Sequence, residues 1–269
     1  MGRGSSPRSV SRRSREQLRV LQAVTQNPDQ ALNPHLTVRA SLQRPLVRLS
    51  GLSSAERRRR ADALLDAVGL RPEFSRRLPS QLSGGEKQRV AIARALAAES
   101  RVLLCDLVTS ALVVSLQARI LNLLVDLQQE TGAGYLFISH DLAVVAHLAD
   151  RVAVMYLGEL MESGRTEDVL SPPHHPYTEA LLSSVPSLDG DGQRIRLQGE
   201  IPSPVHRPSG CPFHTRCPRR VGPICDTESP PWRHGPSEHL VVCHIPLETL
   251  STVQGRKHGT DAELPEEER

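Results

Sequence analysis

Long apolar runs are missing from this 269-residue chain: no segment reaches the roughly 18–20 uninterrupted apolar residues of a membrane helix. The nearest, 142–158, is broken by His147, Asp150 and Arg151. The Arg- and Ser-rich N-terminus has no apolar stretch behind it, which excludes a secretory signal. Membrane contact is therefore expected through a partner, and the chain is placed in the cytoplasm. Aromatics are scarce at 3%, so aliphatic side chains must fill the core. Lysine is scarcer, with Lys87 and Lys257 alone. Net charge is only +3 and the arginines lie scattered with few aromatics between them, so they read as solvated faces rather than a nucleic-acid surface. Five cysteines in a cytosolic chain argue for free thiols or metal ligation rather than disulfides.

What is present fits a soluble globular protein: 38% hydrophobic and 23% charged residues, enough for one large domain or two smaller ones. Residues 1 to about 19 read as poorly ordered, and Leu18–Val24 as a strand entering a loop at Gln26-Asn27-Pro28. From Ser53 to Gly69 the pattern is helical, with Leu64, Leu65 and Val68 on one face. Arg101–Cys105 reads as a strand covered on both faces. Leu116, Ile120, Leu123, Leu124 and Leu127 recur at helical spacing. Further apolar runs at Tyr135–Ile138 and Val152–Tyr156 complete a β-α-β-α-β rhythm, which predicts a parallel sheet in an α/β domain. After Ser171 the composition turns to Pro, His and Cys, giving a loop-rich extension over 171–247 and a disordered tail over 248–269.

The strongest motif is Leu82-Ser83-Gly84-Gly85-Glu86-Lys87-Gln88-Arg89 ahead of the helical VAIARAL. Ser83 can cap that helix, and the glycines let backbone N–H groups approach an anion. A helix N-terminus of this kind suits a nucleotide γ-phosphate; the bland alternative is an ordinary turn before a helix. The string closely resembles the LSGGQ signature of ABC ATPases, and the resemblance runs over roughly residues 18–247. Gln26 stands where that family has its Q-loop glutamine, within QNPDQALNP, which is similar to the peptide-importer form QDPxxSLNP. RVLLCD at 101–106 resembles the Walker B strand, with Asp106 implied to help hold Mg²⁺. Ser110-Ala111-Leu112 lies where the D-loop is implied, and Ser139-His140-Asp141, 34 residues past Asp106 by the count to His140, resembles the switch histidine. A lone His after a strand is otherwise a structural residue.

His175-Pro176-Tyr177-Thr178, GEIPSP at 199–204 and CPFHTRCP at 211–218 resemble the C-terminal extension of oligopeptide and dipeptide importers. Cys211, Cys217, Cys225 and Cys243 have gaps of five, seven and seventeen residues, unlike the paired C-x₂-C of zinc ribbons. Four converging thiolates can hold a [4Fe–4S] cluster, as some members of the resembling family do; zinc, or no metal, are the other readings. Cys105, inside an apolar strand, reads as core.

The chain also departs from the family. No G-x-x-x-x-G-K-[ST] occurs, so the P-loop lysine that neutralises the β- and γ-phosphates has no counterpart, and only 25 residues precede Gln26. Where the family has D-E-P-T-S-A-L-D, this chain has Asp106-Leu107-Val108-Thr109-Ser110-Ala111-Leu112-Val113. Leu107 cannot polarise a water as the catalytic glutamate does, which removes an expected ~10²–10⁴-fold of general-base assistance. Val113 replaces the D-loop aspartate, and Glu86 the signature glutamine.

The resemblance implies a P-loop NTPase-like α/β fold over 1–170, lacking its Walker A part, with a helical subdomain at about 36–88. It implies ATP and Mg²⁺ as ligands, a second ABC ATPase subunit as hetero- or homodimer partner, two membrane permease subunits, and indirectly a peptide-binding protein. The expected place is the inner face of the plasma membrane. Three functions follow: an ATPase subunit of a peptide importer, impaired in hydrolysis; a non-catalytic signature donor in a heterodimer; or a degenerate fragment or metal-binding module.

Overall fold

The computed structural model describes residues 13–49, 51–108, 112–185 and 194–255. The chain forms two compact units, Met1–His140 and Asp141–Arg269.

In the first unit, Ser14 caps α1 (Arg15–Val20) through a capping box with Gln17, and β1 (Leu21–Val24) follows directly. The cap turns the first half of the predicted 18–24 strand into helix. Asn27 caps the short α2 (Pro28–Ala31). Then come α3 (Val38–Leu49), α4 (Ser54–Ala67, capped by Ser53 and Glu56), and α5 (Gly84–Leu96). The chain continues through β2 (Val102–Asp106), α6 (Val114–Thr131), ended by left-handed Gly132, and β3 (Gly134–Ile138). The strands form a parallel sheet in the order β1-β2-β3, with Val24 aligned to Cys105 and Asp106 to Ile138.

The core of this unit is aliphatic, as the scarcity of aromatics requires. Leu42 and Leu46 of α3, Leu65 of α4, Ile92 of α5, and Ile120 and Leu124 of α6 are fully buried together with Leu103 and Cys105 of β2. Tyr135 and Phe137 of β3 pack against the same cluster. The opposite face, with Leu21, Val102, Leu136 and Ile138, is exposed. The expectation of a sheet covered on both faces is thus corrected: in a pleated strand alternate side chains point to opposite sides, and helices cover one of them here.

The second unit opens with α7 (Leu142–Leu148), capped by Asp141, then β4 (Arg151–Tyr156) and β5 (Glu159–Arg165). After α8 (Thr166–Val169) and α9 (Pro176–Leu182) come α10 (Ile224–Thr227), β6 (Trp232–His234), β7 (Leu240–Val242) and α11 (Leu247–Gly255). The sheet order is β4-β5-β7-β6, antiparallel throughout. The run 152–156 is therefore not a third parallel strand. Leu157 and Gly158 both take positive φ, 49° and 80°, the signature of a two-residue turn that returns the chain as a hairpin. Among the described residues of 171–247 lie α9, α10, β6 and β7, more regular structure than the composition predicts, and α11 occupies residues expected to lie in a disordered tail.

Two small clusters hold this unit. Tyr156, Met161, Cys211 and Phe213 form one, with Tyr156 edge-on to Tyr177 and Phe213 at ring separations of 4.9 and 5.2 Å. Val241, Cys243, Ile245 and Leu250 form the other. A buried polar network accompanies them. The Glu162 carboxylate meets His239 Nε2 at 2.7 Å and accepts the His175 N–H at 3.0 Å. Glu179 accepts a two-pronged hydrogen bond from Arg219 at 2.7 and 2.6 Å and a third from Gln254 Nε2 at 3.0 Å. Among the described residues no helix is long and apolar enough to cross a membrane.

Candidate functional site

Three of the sequence-predicted residues come out at one end of the parallel sheet. Asp106 is the last residue of β2; Gln26 lies two residues beyond β1 and His140 two beyond β3. The strands are adjacent and in register, so all three stand at their carboxyl ends, where open α/β sheets bind ligands. Gln26 and His140 are exposed and Asp106 is half-buried.

After Asp106 the chain turns sharply. Leu107 takes φ 48°, and its N–H donates to the Ile138 carbonyl at 3.1 Å, tying the turn to the end of β3. The left-handed conformation costs a leucine about 1–2 kcal/mol. Ser110 and Ala111 of the expected D-loop lie outside the described residues, whereas Leu112 is half-buried and Val113 exposed. Val113 is the N-cap of α6 and offers its first turn no side-chain acceptor.

The signature string builds the N-terminus of α5. Ser83 Oγ accepts the Glu86 N–H at 3.4 Å, and the Glu86 carboxylate accepts the Ser83 N–H at 2.7 Å, a complete capping box. That N–H bond is the main reason the Glu86 carboxyl lies below its usual pKa, with Arg77 and Arg89 helping. Ser83 and Gly84 are exposed, and the space where a Gly84 side chain would lie is open. The box satisfies the amides of Ser83 and Glu86. Those of Gly84 and Gly85, in the first turn, have no partner within the helix.

Further along α5, buried Gln88 donates to the Val108 carbonyl at 3.1 Å, linking the signature helix to the turn beyond Asp106. Lys87 pairs with Asp29 of α2 at 2.7 Å. Arg89 donates to the Gly69 carbonyl at 2.8 Å, and Arg94, whose pKa burial lowers, donates to that of Ala31. Sequence reasoning missed these ties, although their type was available: long polar residues on the apolar face of a helix need buried partners.

The four cysteines of the second unit are unpaired, Cys217 half-buried and the others buried. Cys211 N–H donates to the Cys225 carbonyl at 2.9 Å. Burial pushes Cys217 up to about 12, and the neighbouring Cys243, Cys211 and Cys225 push in the same direction. Cys243 rises to about 11 through burial first and then Cys211 and Cys225. The thiols thus lie within electrostatic reach of one another. Yet among the described residues no group of three or more His, Cys, Asp or Glu side chains is placed to hold a metal ion. The donor types suit a soft metal; their present placement does not form a ligand shell.

Comparison with known proteins gives two family matches: the family described as "ABC transporter" over residues 4–110, and "Oligopeptide/dipeptide transporter, C-terminal region" over 161–225. The oligopeptide transport ATP-binding protein AppF of Bacillus subtilis is 44% identical over 245 residues, 88% of this chain and 74% of the relative. The dipeptide transport ATP-binding protein DppF of Escherichia coli is 47% identical over 225 residues, 83% of this chain and 67% of the relative. The probable peptide ABC transporter ATP-binding protein y4tS of Sinorhizobium fredii is 48% identical over 229 residues, 84% of this chain and 65% of the relative. The chain therefore spans between 65% and 74% of the length of these three relatives. Among solved structures, the ATP-binding cassette MJ0796 in a dimeric post-hydrolysis state bound to ADP and Pi superposes with a TM-score of 0.50 at 33% identity, covering 54% of this chain and 62% of that one. CbiO1 from Clostridium perfringens, part of the ABC transporter complex cbiONQ, gives 0.50 at 29% identity, covering 58% and 61%.

Proposed function

As the chain belongs to the family of peptide ABC transporter ATP-binding proteins, we propose that it energises the import of peptides as one ATPase subunit of such a transporter. The observation that carries this reading is the alignment of Gln26, Asp106 and His140 at the carboxyl ends of three neighbouring parallel strands. In the proposed roles, Asp106 holds Mg²⁺ while Gln26 and His140 contact the terminal phosphate. Ser83, Gly84, Gly85 and Glu86 present amides and a hydroxyl to ATP held by a second ATPase subunit, in a hetero- or homodimer. The complex sits at the inner face of the membrane through two permease subunits, and a binding protein delivers the peptide.

Leu107 and Val113 favour a division of labour. At position 107 a hydrocarbon side chain can neither orient water nor take its proton, so hydrolysis at this chain's own site is slow and its signature helix serves the partner's site. Co-expression with an intact family ATPase tests this. Ser83→Arg is expected to abolish the pair's ATP hydrolysis while leaving ATP binding by the partner in place. Activity that survives the change refutes the signature role.

The four cysteines are proposed to hold a [4Fe–4S] cluster on the strength of donor type alone, since four unpaired thiols suit such a cluster while their placement among the described residues forms no ligand shell. Iron and acid-labile sulfide in the anaerobically purified protein are the expected result. Zinc in their place, or no metal at all, overturns it.

A further inference from the structure

The turn beyond Asp106 is held at two points, and one of them is a side chain of the signature helix. Leu107 N–H donates to the Ile138 carbonyl at 3.1 Å, which ties the turn to the end of β3. Gln88 Nε2 donates to the Val108 carbonyl at 3.1 Å, which ties it to α5. Between these bonds Leu107 keeps its left-handed φ of 48°, a conformation that persists only where the surroundings over-determine it. Gln88 stands four residues past Gly84, one turn down the same face of α5. Gln88 and Val108 are each 1% exposed, so the bond between them is shielded from water.

Stability alone does not account for a glutamine at this place. Its Oε1 is buried and has no hydrogen-bond partner among the described residues. A carboxamide taken out of water and only partly satisfied costs free energy that a methionine or leucine of similar volume avoids. A half-satisfied polar group inside an aliphatic core is a local rule broken, and such breaks gather where geometry serves a function. The Lys87–Asp29 pair on the same helix is of another kind. Asp29 is 64% exposed on its side chain, so water and salt screen the pair and it fixes little.

We propose that Gln88 is a positioning residue: its hydrogen bond to the Val108 carbonyl fixes the spacing between the signature tip, Ser83 to Gly85, and the turn that follows Asp106. Tip and turn then move as one body, and ATP held by a second subunit meets amides whose place is set from this chain's own Asp106 strand. The choice of ATP as the ligand rests on the nucleotide-binding reading above; the tie itself does not.

The test replaces Gln88 by methionine and, separately, by leucine, neither of which can donate, in the full chain co-expressed with an intact family ATPase. Asp29→Asn, which removes the exposed ion pair, is the control. Amide hydrogen exchange needs no nucleotide and is measured first. The Leu107 amide, bonded to Ile138, and the Lys87 amide, bonded to the Ser83 carbonyl, are expected to exchange faster together by about threefold or more. Tm stays within about 3 °C of wild type, because the freed Val108 carbonyl and the removed Oε1 offset each other. The pair's kcat falls by about tenfold or more while KM for ATP stays within about twofold, since displaced donors cost the transition state and the partner still holds the nucleotide. Asp29→Asn changes none of these. An unchanged Leu107 or Lys87 amide, an unchanged kcat, a rise in KM at constant kcat, or a rate loss that accompanies a collapse in Tm each overturns the proposal. Coupled exchange in a pair whose unmodified form hydrolyses no ATP upholds the tie and refutes the nucleotide-binding reading.

Discussion

Val113→Asp isolates one consequence of the turn after β2. Val113 is the N-cap of α6, with φ −69° and ψ 149°, the extended conformation from which an N-cap side chain reaches back to the first turn. It is 70% exposed, so removing its methyls leaves no cavity. The helix carries no acidic residue in its first turn, so its own sequence does not complement its positive end. A capping carboxylate contributes about 0.5–2 kcal/mol, and its charge at the helix N-terminus about 0.3–1 kcal/mol more. A total near 1.5 kcal/mol would raise Tm by about 3–6 °C. Differential scanning calorimetry against wild type and Val113→Ala measures it. The alanine change is expected to be near neutral, since neither residue can cap. Should Val113→Asp melt at or below the alanine variant, position 113 does not cap α6 and the reading of this turn fails. Restoring the aspartate therefore stabilises the fold whether or not the site hydrolyses ATP.

Gly210→Ala is expected to destabilise the second unit by at least about 1–2 kcal/mol. At φ 66° a Cβ would also lie 2.5 Å from the Cys225 carbonyl, so the backbone joining the two cysteine segments must move; thermal melting reads the loss. His175 gives a pH dependence. Burial lowers its pKa from 6.5 to about 3, so the unfolded chain binds a proton in that window and the folded one does not. Stability is full above pH 6.5 and falls as the pH drops toward 3. His175→Asn, which keeps an acceptor for the Tyr177 N–H, should flatten that slope in urea titrations followed across pH. If the four cysteines take up the proposed metal, uptake accelerates with rising pH, because thiols raised to about 11 and 12 must lose protons to become ligands. A pH-independent rate by stopped-flow absorbance would contradict this.

Much of the first unit was legible because its signals are local. Ser83 followed by Glu86 three residues later marks a helix start wherever it occurs, and the aliphatic spacing of 116–127 marks α6. Gln26, Asp106 and His140 were singled out by the resemblance of their surroundings to the family's motifs, and the register of the strands brings them to one end. The bare sheet face was not legible, since an apolar pentapeptide reads the same covered or uncovered. The hairpin at Leu157-Gly158 was missed because its sense of turn depends on two positive φ values, one at a leucine. The network of Glu162, His175 and His239 joins residues up to 77 apart, and periodicity has no access to such pairing.

The capping box at Ser83 has a consequence for how the signature helix meets an anion. Its own carboxylate does not obstruct the tip, because Glu86 turns back onto the Ser83 amide and leaves the Gly84 and Gly85 amides pointing outward. On the proposed reading of this helix as an ATP contact, a phosphate there would meet the first-turn amides with the Glu86 negative charge alongside. Attraction to the helix end and repulsion from Glu86 would then oppose each other, favouring a polyanion already neutralised by a cation over a naked one.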